Sequence, residues 1–223
     1  MELECERLRV LISLSNGDPE QRHVGFVLGS DGNSQIIHMG WHKMLLNWNE
    51  VKYRERIGEF LVYECPHFNE DEVEELTSFI SMLYKRYSGS MPYSIITDGL
   101  GEFFNLAGDI AVDKAGMGLT CATFLMSVLA VQSYPLFDEA TWELRPDDEK
   151  WHRKIISHLR ESRVDEEHVK AQEKFIGKAY RYRPEEVVGS ANDYMGSPVG
   201  FCAAVAAGER VLGNLRQCGI MPA

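Results

Sequence analysis

Much that would point to a familiar class of protein is missing from these 223 residues. The five cysteines, Cys5, Cys65, Cys121, Cys202 and Cys218, are odd in number, irregularly spaced and never arranged as CxxC. That excludes a disulfide framework and a thiol-rich zinc site. His38 and His42 stand four apart, the spacing of two ligands on a helix. No acidic third ligand follows, and Gly40 between them weakens a helix, so no metal and no other cofactor is expected. Positive charge is scarce: 23 Lys and Arg face 34 Asp and Glu, for a formal net charge of -11. A phosphate backbone is repelled by such a chain, so nucleic acid is not an expected partner. The glycines between positions 99 and 108 come without a phosphate-loop lysine, which leaves nucleotide binding unsupported. No apolar run is long enough for a membrane span. The acidic start Met1-Glu2-Leu3-Glu4 lacks the apolar stretch of a signal peptide, and a reducing cytoplasm is the expected compartment.

What is present divides at about residue 142. Residues 8–14 are β-rich and end in Asn16-Gly17-Asp18-Pro19, strong turn chemistry. Two more β-rich runs, 23–29 and 34–38, flank an Asp31-Gly32 turn and read as a hairpin. Residues 58–65 are a further strand candidate, and 41–56 are either a short helix or an irregular crossing. From 69 to 87 the pattern is helical, with Asn69 as N-cap, acidic residues in the first turn and Val73, Leu76, Phe79, Ile80 and Leu83 at helical spacing. A second helix is predicted from about 120 to 131, with Thr120 as its cap. After 142 the chain reads as helices alone, over 148–161, 165–182, 184–191 and 198–216. The expected fold class is α+β, an antiparallel sheet packed on helices over residues 1–142, followed by an all-helical extension or subdomain over 143–223.

One residue stands out. Cys121 falls at a predicted helix start, directly after Gly116-Met117-Gly118-Leu119-Thr120. Free N–H groups and the helix dipole there lower a thiol's pKa, and the same N–H groups can hold an oxyanion. The glycines are expected to let a substrate carbonyl approach the backbone. By position alone such a cysteine is as readily a buried small hydrophobe. A thiol nucleophile also wants an imidazole, and the imidazole wants an orienting group. His23 and His38 lie on the predicted hairpin. A two- or four-residue loop puts them on one face, and a three- or five-residue loop without a bulge puts them on opposite faces. The Asp31-Gly32 turn favours the two-residue case.

These motifs resemble a known family. His23-Val24-Gly25-Phe26-Val27-Leu28-Gly29 with Ile36-Ile37-His38 is similar to the H-x-G-x-x-x-G…(V/I)-x-H signature of the NlpC-type papain-like superfamily. The order, histidine strands before the cysteine helix, resembles its circularly permuted branch, which includes lecithin retinol acyltransferase and related bacterial hydrolases. Thr120-Cys121-Ala122-Thr123-Phe124-Leu125 resembles that branch's helix start, and Pro92-Tyr93 resembles its "PY" element. The resemblance spans roughly residues 8–135. It implies a papain-like sheet-on-helix fold, Cys121 as nucleophile, His23 as general base, His38 as orienting residue and Tyr93 as an active-site neighbour. The implied activity is cysteine-dependent hydrolysis of a peptide or peptidoglycan-type amide through a thioester. A lipid acyl hydrolase or acyltransferase with the same site is the alternative. A non-catalytic binding or scaffold module that keeps the fold is a third reading, with the apolar residues Phe201, Val205, Val211 and Leu212 as its surface.

Overall fold

The computed structural model describes residues 7–29, 33–112 and 114–222; Cys5 and the Asp31-Gly32 turn lie outside the described residues. Five strands, β1 (Arg9–Leu14), β2 (Arg22–Leu28), β3 (Gln35–Trp41), β4 (Met44–Asn49) and β5 (Phe60–Glu64), form one sheet in the order β4-β3-β2-β1-β5. Every pairing in it is antiparallel. Among the described residues, seven α-helices accompany it: α1 (Glu50–Arg56), α2 (Glu70–Tyr87), α3 (Cys121–Val131), α4 (Asp148–Glu161), α5 (Glu166–Glu173), α6 (Pro184–Asp193) and α7 (Phe201–Gln217). The architecture is α+β. Among the described residues, no helix is long and apolar enough to cross a membrane.

The helix starts follow from local chemistry. Asn69 accepts from the Glu72 N–H while the Glu72 carboxylate accepts from the Asn69 N–H, a reciprocal cap that satisfies two otherwise unpaired donors. Thr120 and Thr123 repeat the device at α3. Two stretches depart from the sequence expectation. Residues 41–56 hold an additional strand, β4, before α1; Lys43 turns the chain at φ +59°. The helix expected over 165–182 stops at Glu173, and Gly177 bends the chain beyond it at φ +70°.

Alternation along the strands sorts side chains between two cores. Val10, Ile12, Val24, Phe26, Ile37 and Met39 face α3 and α6 in one large apolar cluster. Leu11, Val27 and Ile36 face the other way, under Tyr53 of α1 and Phe60. The helices beyond residue 142 share the larger core, through residues such as Val187, Val188 and Leu215. Helix α6 lies against β1, β2 and β5 and is tied to β2 by a buried Arg22–Glu185 ion pair at 2.7 Å.

The β2–β3 register places the site. Phe26 pairs with Ile37, Val27 with Ile36 and Leu28 with Gln35. One step further, Gly25 falls opposite His38; a Cβ on Gly25 would lie 2.8 Å from the His38 Cβ and 3.0 Å from the Ile37 carbonyl oxygen. Both atoms belong to fully buried residues of β3, so neither has room to yield. Substitution Gly25→Ala is therefore expected to cost about 1–3 kcal/mol in urea unfolding. A change within 0.5 kcal/mol would show that the hairpin relaxes freely at that point.

Candidate active site

Cys121 is the first residue of α3, and its side chain is buried. Thr120 takes the N–H groups of Thr123 and Phe124. The N–H groups of Cys121 and Ala122, with that of Val24 on β2, bear on the sulfur and favour its thiolate. Burial outweighs them and pushes the Cys121 thiol up to about 11. The helix start thus does what the sequence implied, but desolvation reverses the net direction. The resting sulfur is a thiol.

The glycines before it serve packing, not a substrate carbonyl. A Cβ on Gly118 would lie 2.5 Å from the Pro92 carbonyl oxygen, and one on Gly116 would lie 2.7 Å from the Ala171 Cβ of α5. Leu119 donates its N–H to the Pro92 oxygen at 2.9 Å. The long segment between Tyr93 and Cys121 therefore leaves and returns at one place, and Tyr93 sits beside the cysteine despite the distance along the chain. Its backbone oxygen accepts from Gln172 Nε2 at 3.2 Å and contacts His168 Nε2 at 2.8 Å; its ring lies on Trp41 at 4.5 Å.

His23 and His38 share a sheet face, the one covered by Tyr53. His23 Nε2 lies 2.7 Å from His38 Nδ1, with both rings buried. His38 is enclosed edge-to-face by Trp48 at 4.9 Å and Tyr53 at 5.2 Å, and its Nε2 has no hydrogen-bond partner. Burial holds His23 down to about 4; burial and the adjacent His23 hold His38 down to about 2. Both rings are neutral near pH 7. If His23 donates from Nε2, His38 must carry its own proton on Nε2, toward the aromatic rings. That leaves His23 Nδ1 as the nitrogen able to receive a proton.

Cys121, His23 and Tyr93 line one cavity of about 110 Å³. Strand alternation sends Val24 toward α3 and His23 toward α1. Cys121 and His23 therefore reach the cavity from different sides of the sheet near the start of β2, where His23 is the second residue, and no hydrogen bond joins them. A wider trough of about 470 Å³ continues from it, shares His23 and Trp41, and is lined by His38, Leu46, Trp48 and Ile57. Three contributors were not singled out from the sequence: the Val24 N–H, Trp41 as a wall, and Arg181 in the cavity lining. The first is a backbone atom and carries no sequence signal, and Arg181 comes from a turn far along the chain.

The remaining sequence candidates lie elsewhere. His42 sits in the β3–β4 turn, not on a helix with His38, and faces His168 at 4.9 Å. Among the described residues, no group of three or more His, Cys, Asp or Glu is placed to hold a metal ion. Cys65 is buried and pushed up to about 12 by desolvation, and His67 packs on Tyr194 at 5.1 Å. No protein-family model, curated protein or solved structure matches this chain.

Two pH dependences follow. His23, His38 and His152 are buried and held below the ordinary 6.5, the last to about 4. The unfolded chain binds protons that the folded chain refuses. Stability is therefore full above pH 6.5 and falls as pH drops below it, by up to about 1.4 kcal/mol per pH unit for each histidine. Urea midpoints between pH 6.5 and 5, above most carboxylate titrations, measure this; a flat profile would mean that the rings charge freely in the fold. The second concerns the thiol. Alkylation of Cys121 by iodoacetamide is expected to keep accelerating above pH 9, with no plateau in mild acid. A rate already constant at pH 6 would reveal a preformed thiolate–imidazolium pair.

Proposed function

We propose that this protein is a cysteine-dependent hydrolase with a permuted papain-like arrangement, acting on an amide bond of peptide or peptidoglycan type. The observation that carries the reading is the 2.7 Å His23–His38 contact beside the cavity that Cys121 enters at a helix start. A base already oriented by a second buried ring, next to a thiol with two helix N–H groups around it, is the constellation that acyl transfer needs.

In this reading the reaction starts from neutral partners. The Cys121 sulfur attacks the carbonyl carbon as His23 Nδ1 takes the thiol proton, and the carbonyl π electrons move onto oxygen. The Cys121 and Ala122 N–H groups stabilise that oxyanion. On collapse the C–N bond breaks, His23 returns the proton to the departing amine, and a thioester remains. Water then attacks the thioester with His23 as base; the carboxylic acid leaves and the thiol is restored. His38 is too buried and too weak a base to take the proton itself. It accepts from His23 Nε2–H and so fixes the ring and supports the transient imidazolium.

A second reading keeps the site and changes the substrate to a lipid acyl ester. The apolar part of the trough beside His23, formed by Met44, Leu46, Trp48 and Ile57 within an otherwise polar lining, favours it because an acyl chain needs such a surface. In that case an alcohol replaces the amine as leaving group, or replaces water as acceptor.

Activity-based labelling separates these readings. A peptidic chloromethyl ketone is expected to label Cys121 in the wild type and not in Cys121→Ala. His23→Gln should slow labelling by about 10²–10⁴-fold, and His38→Gln by less. If the peptidic electrophile labels Cys121 while an acyl-ester probe fails, the lipid reading falls; the reverse removes the amidase. If Cys121 reacts no faster than exposed Cys218 with either probe, the protein is a binding module that keeps a similar fold.

A further inference from the structure

Part of the cavity lining is cationic, although the chain as a whole is strongly acidic: Arg22 from β2 and Arg181 from the turn before α6 line it together with Glu20, and Arg183 joins the two arginines in an adjoining groove. Arg22 holds Glu185 with both carboxylate oxygens, at 2.9 and 2.7 Å. Arg183 holds both oxygens of Asp147 at 2.8 Å. Arg181 has what is left, a 3.4 Å contact with an Asp147 oxygen that Arg183 already occupies. Arg181 thus has the longest ion pair of the three, and the nearby Asp148 attracts it without a hydrogen bond.

Arg181 is poorly placed to dissipate its charge into water. Its side chain is 10% exposed. Arg22 and Arg183 repel it, and desolvation lowers its pKa further. Leaving a buried cation under-paired is costly unless a ligand completes it. Its plane is fixed by the Trp151 ring, 4.7 Å from the guanidinium carbon. The group lines the Cys121 cavity and also an adjoining groove with Lys150, Lys154 and Asp147, and exposed Glu20 lines both. A planar, immobilised guanidinium with spare donors is the side chain best suited to a carboxylate or phosphate.

We propose that Arg181 is an anion anchor: the acyl substrate of Cys121 carries a carboxylate or phosphate group that docks on Arg181 within the same cavity. This rests on the reading of Cys121 as a nucleophile. It narrows the substrate to an anionic acyl compound, such as a peptide ending in a free carboxylate beside the scissile bond or a lipid with an anionic headgroup. Arg181 positions the substrate and takes no part in bond making.

Iodoacetate and iodoacetamide, reagents of nearly equal size of which one is anionic and the other neutral, provide the test on the full chain. Exposed Cys202 is the internal reference. At pH 8 and low salt, the iodoacetate-to-iodoacetamide rate ratio is expected to be about tenfold higher at Cys121 than at Cys202. Arg181→Gln should bring it to the Cys202 value, and Arg181→Lys should keep part of it. A ratio no higher at Cys121, or one untouched by Arg181→Gln, overturns the anchor. If Cys121 reacts with neither reagent, the nucleophile reading fails, and the anchor is judged separately by thermal unfolding. N-acetylglycine or glycerol phosphate should then raise the midpoint of the wild type and of Arg181→Lys; no rise with either anion overturns the proposal. The same two compounds distinguish the sources. Stronger protection of Cys121 by N-acetylglycine assigns a carboxylate substrate, and stronger protection by glycerol phosphate assigns a phosphorylated one.

Discussion

The pairing of β2 with β3 is the constraint on which the site depends. Side chains alternate along a strand, so a slip of one residue would turn His38 to the opposite face and leave His23 without its neighbour. The register that prevents this is held from both sides. Ile36 and Ile37 are fully buried on opposite faces, so any slip would exchange their two cores. Gly25 supplies the vacancy in which the His38 Cβ rests. The same strand pair then delivers the Val24 N–H to the sulfur of Cys121, so one register places His23 and His38 together and brings β2 to Cys121.

Burial gives this constellation its chemical character. All three side chains are nearly inaccessible, and each is held in its neutral form. The site stores no charge at rest. In the proposed reaction charge would develop only when the thiol proton moves, in surroundings where the Cys121 and Ala122 N–H groups act at short range with little competing water. Arg181, in the same cavity lining, presents the opposite case, a permanent charge whose ion pair with Asp147 is long at 3.4 Å. The proposed anionic substrate rests on that contrast between neutral groups and a fixed cation.

Several features were legible in the chain alone because they are local. Asn69 and Thr120 cap their helices through atoms three residues away, and the 148–161 helix begins and ends where the sequence places it. The strands carrying His23 and His38 and the helix starting at Cys121 form where the sequence places them. Other features were not legible. Strand β4 has few sequence cues, since Met44, Leu46 and Trp48 alternate weakly and take their strand form from pairing with β3. Gly116 and Gly118 look like a substrate-facing loop in sequence, yet the contacts that require them come from Ala171 and Pro92.

The sequence by itself determined where helices start, which strand faces are apolar, and that one cysteine and two histidines could belong together. Those properties arise from neighbours a few residues apart, whose hydrogen bonds and periodicity are set by the chain. Tertiary structure alone decided the protonation state of the thiol and imidazoles, the return of Leu119 to Pro92, and the long ion pair of Arg181. Desolvation and charge pairing are sums over residues remote in sequence, and no local pattern records them.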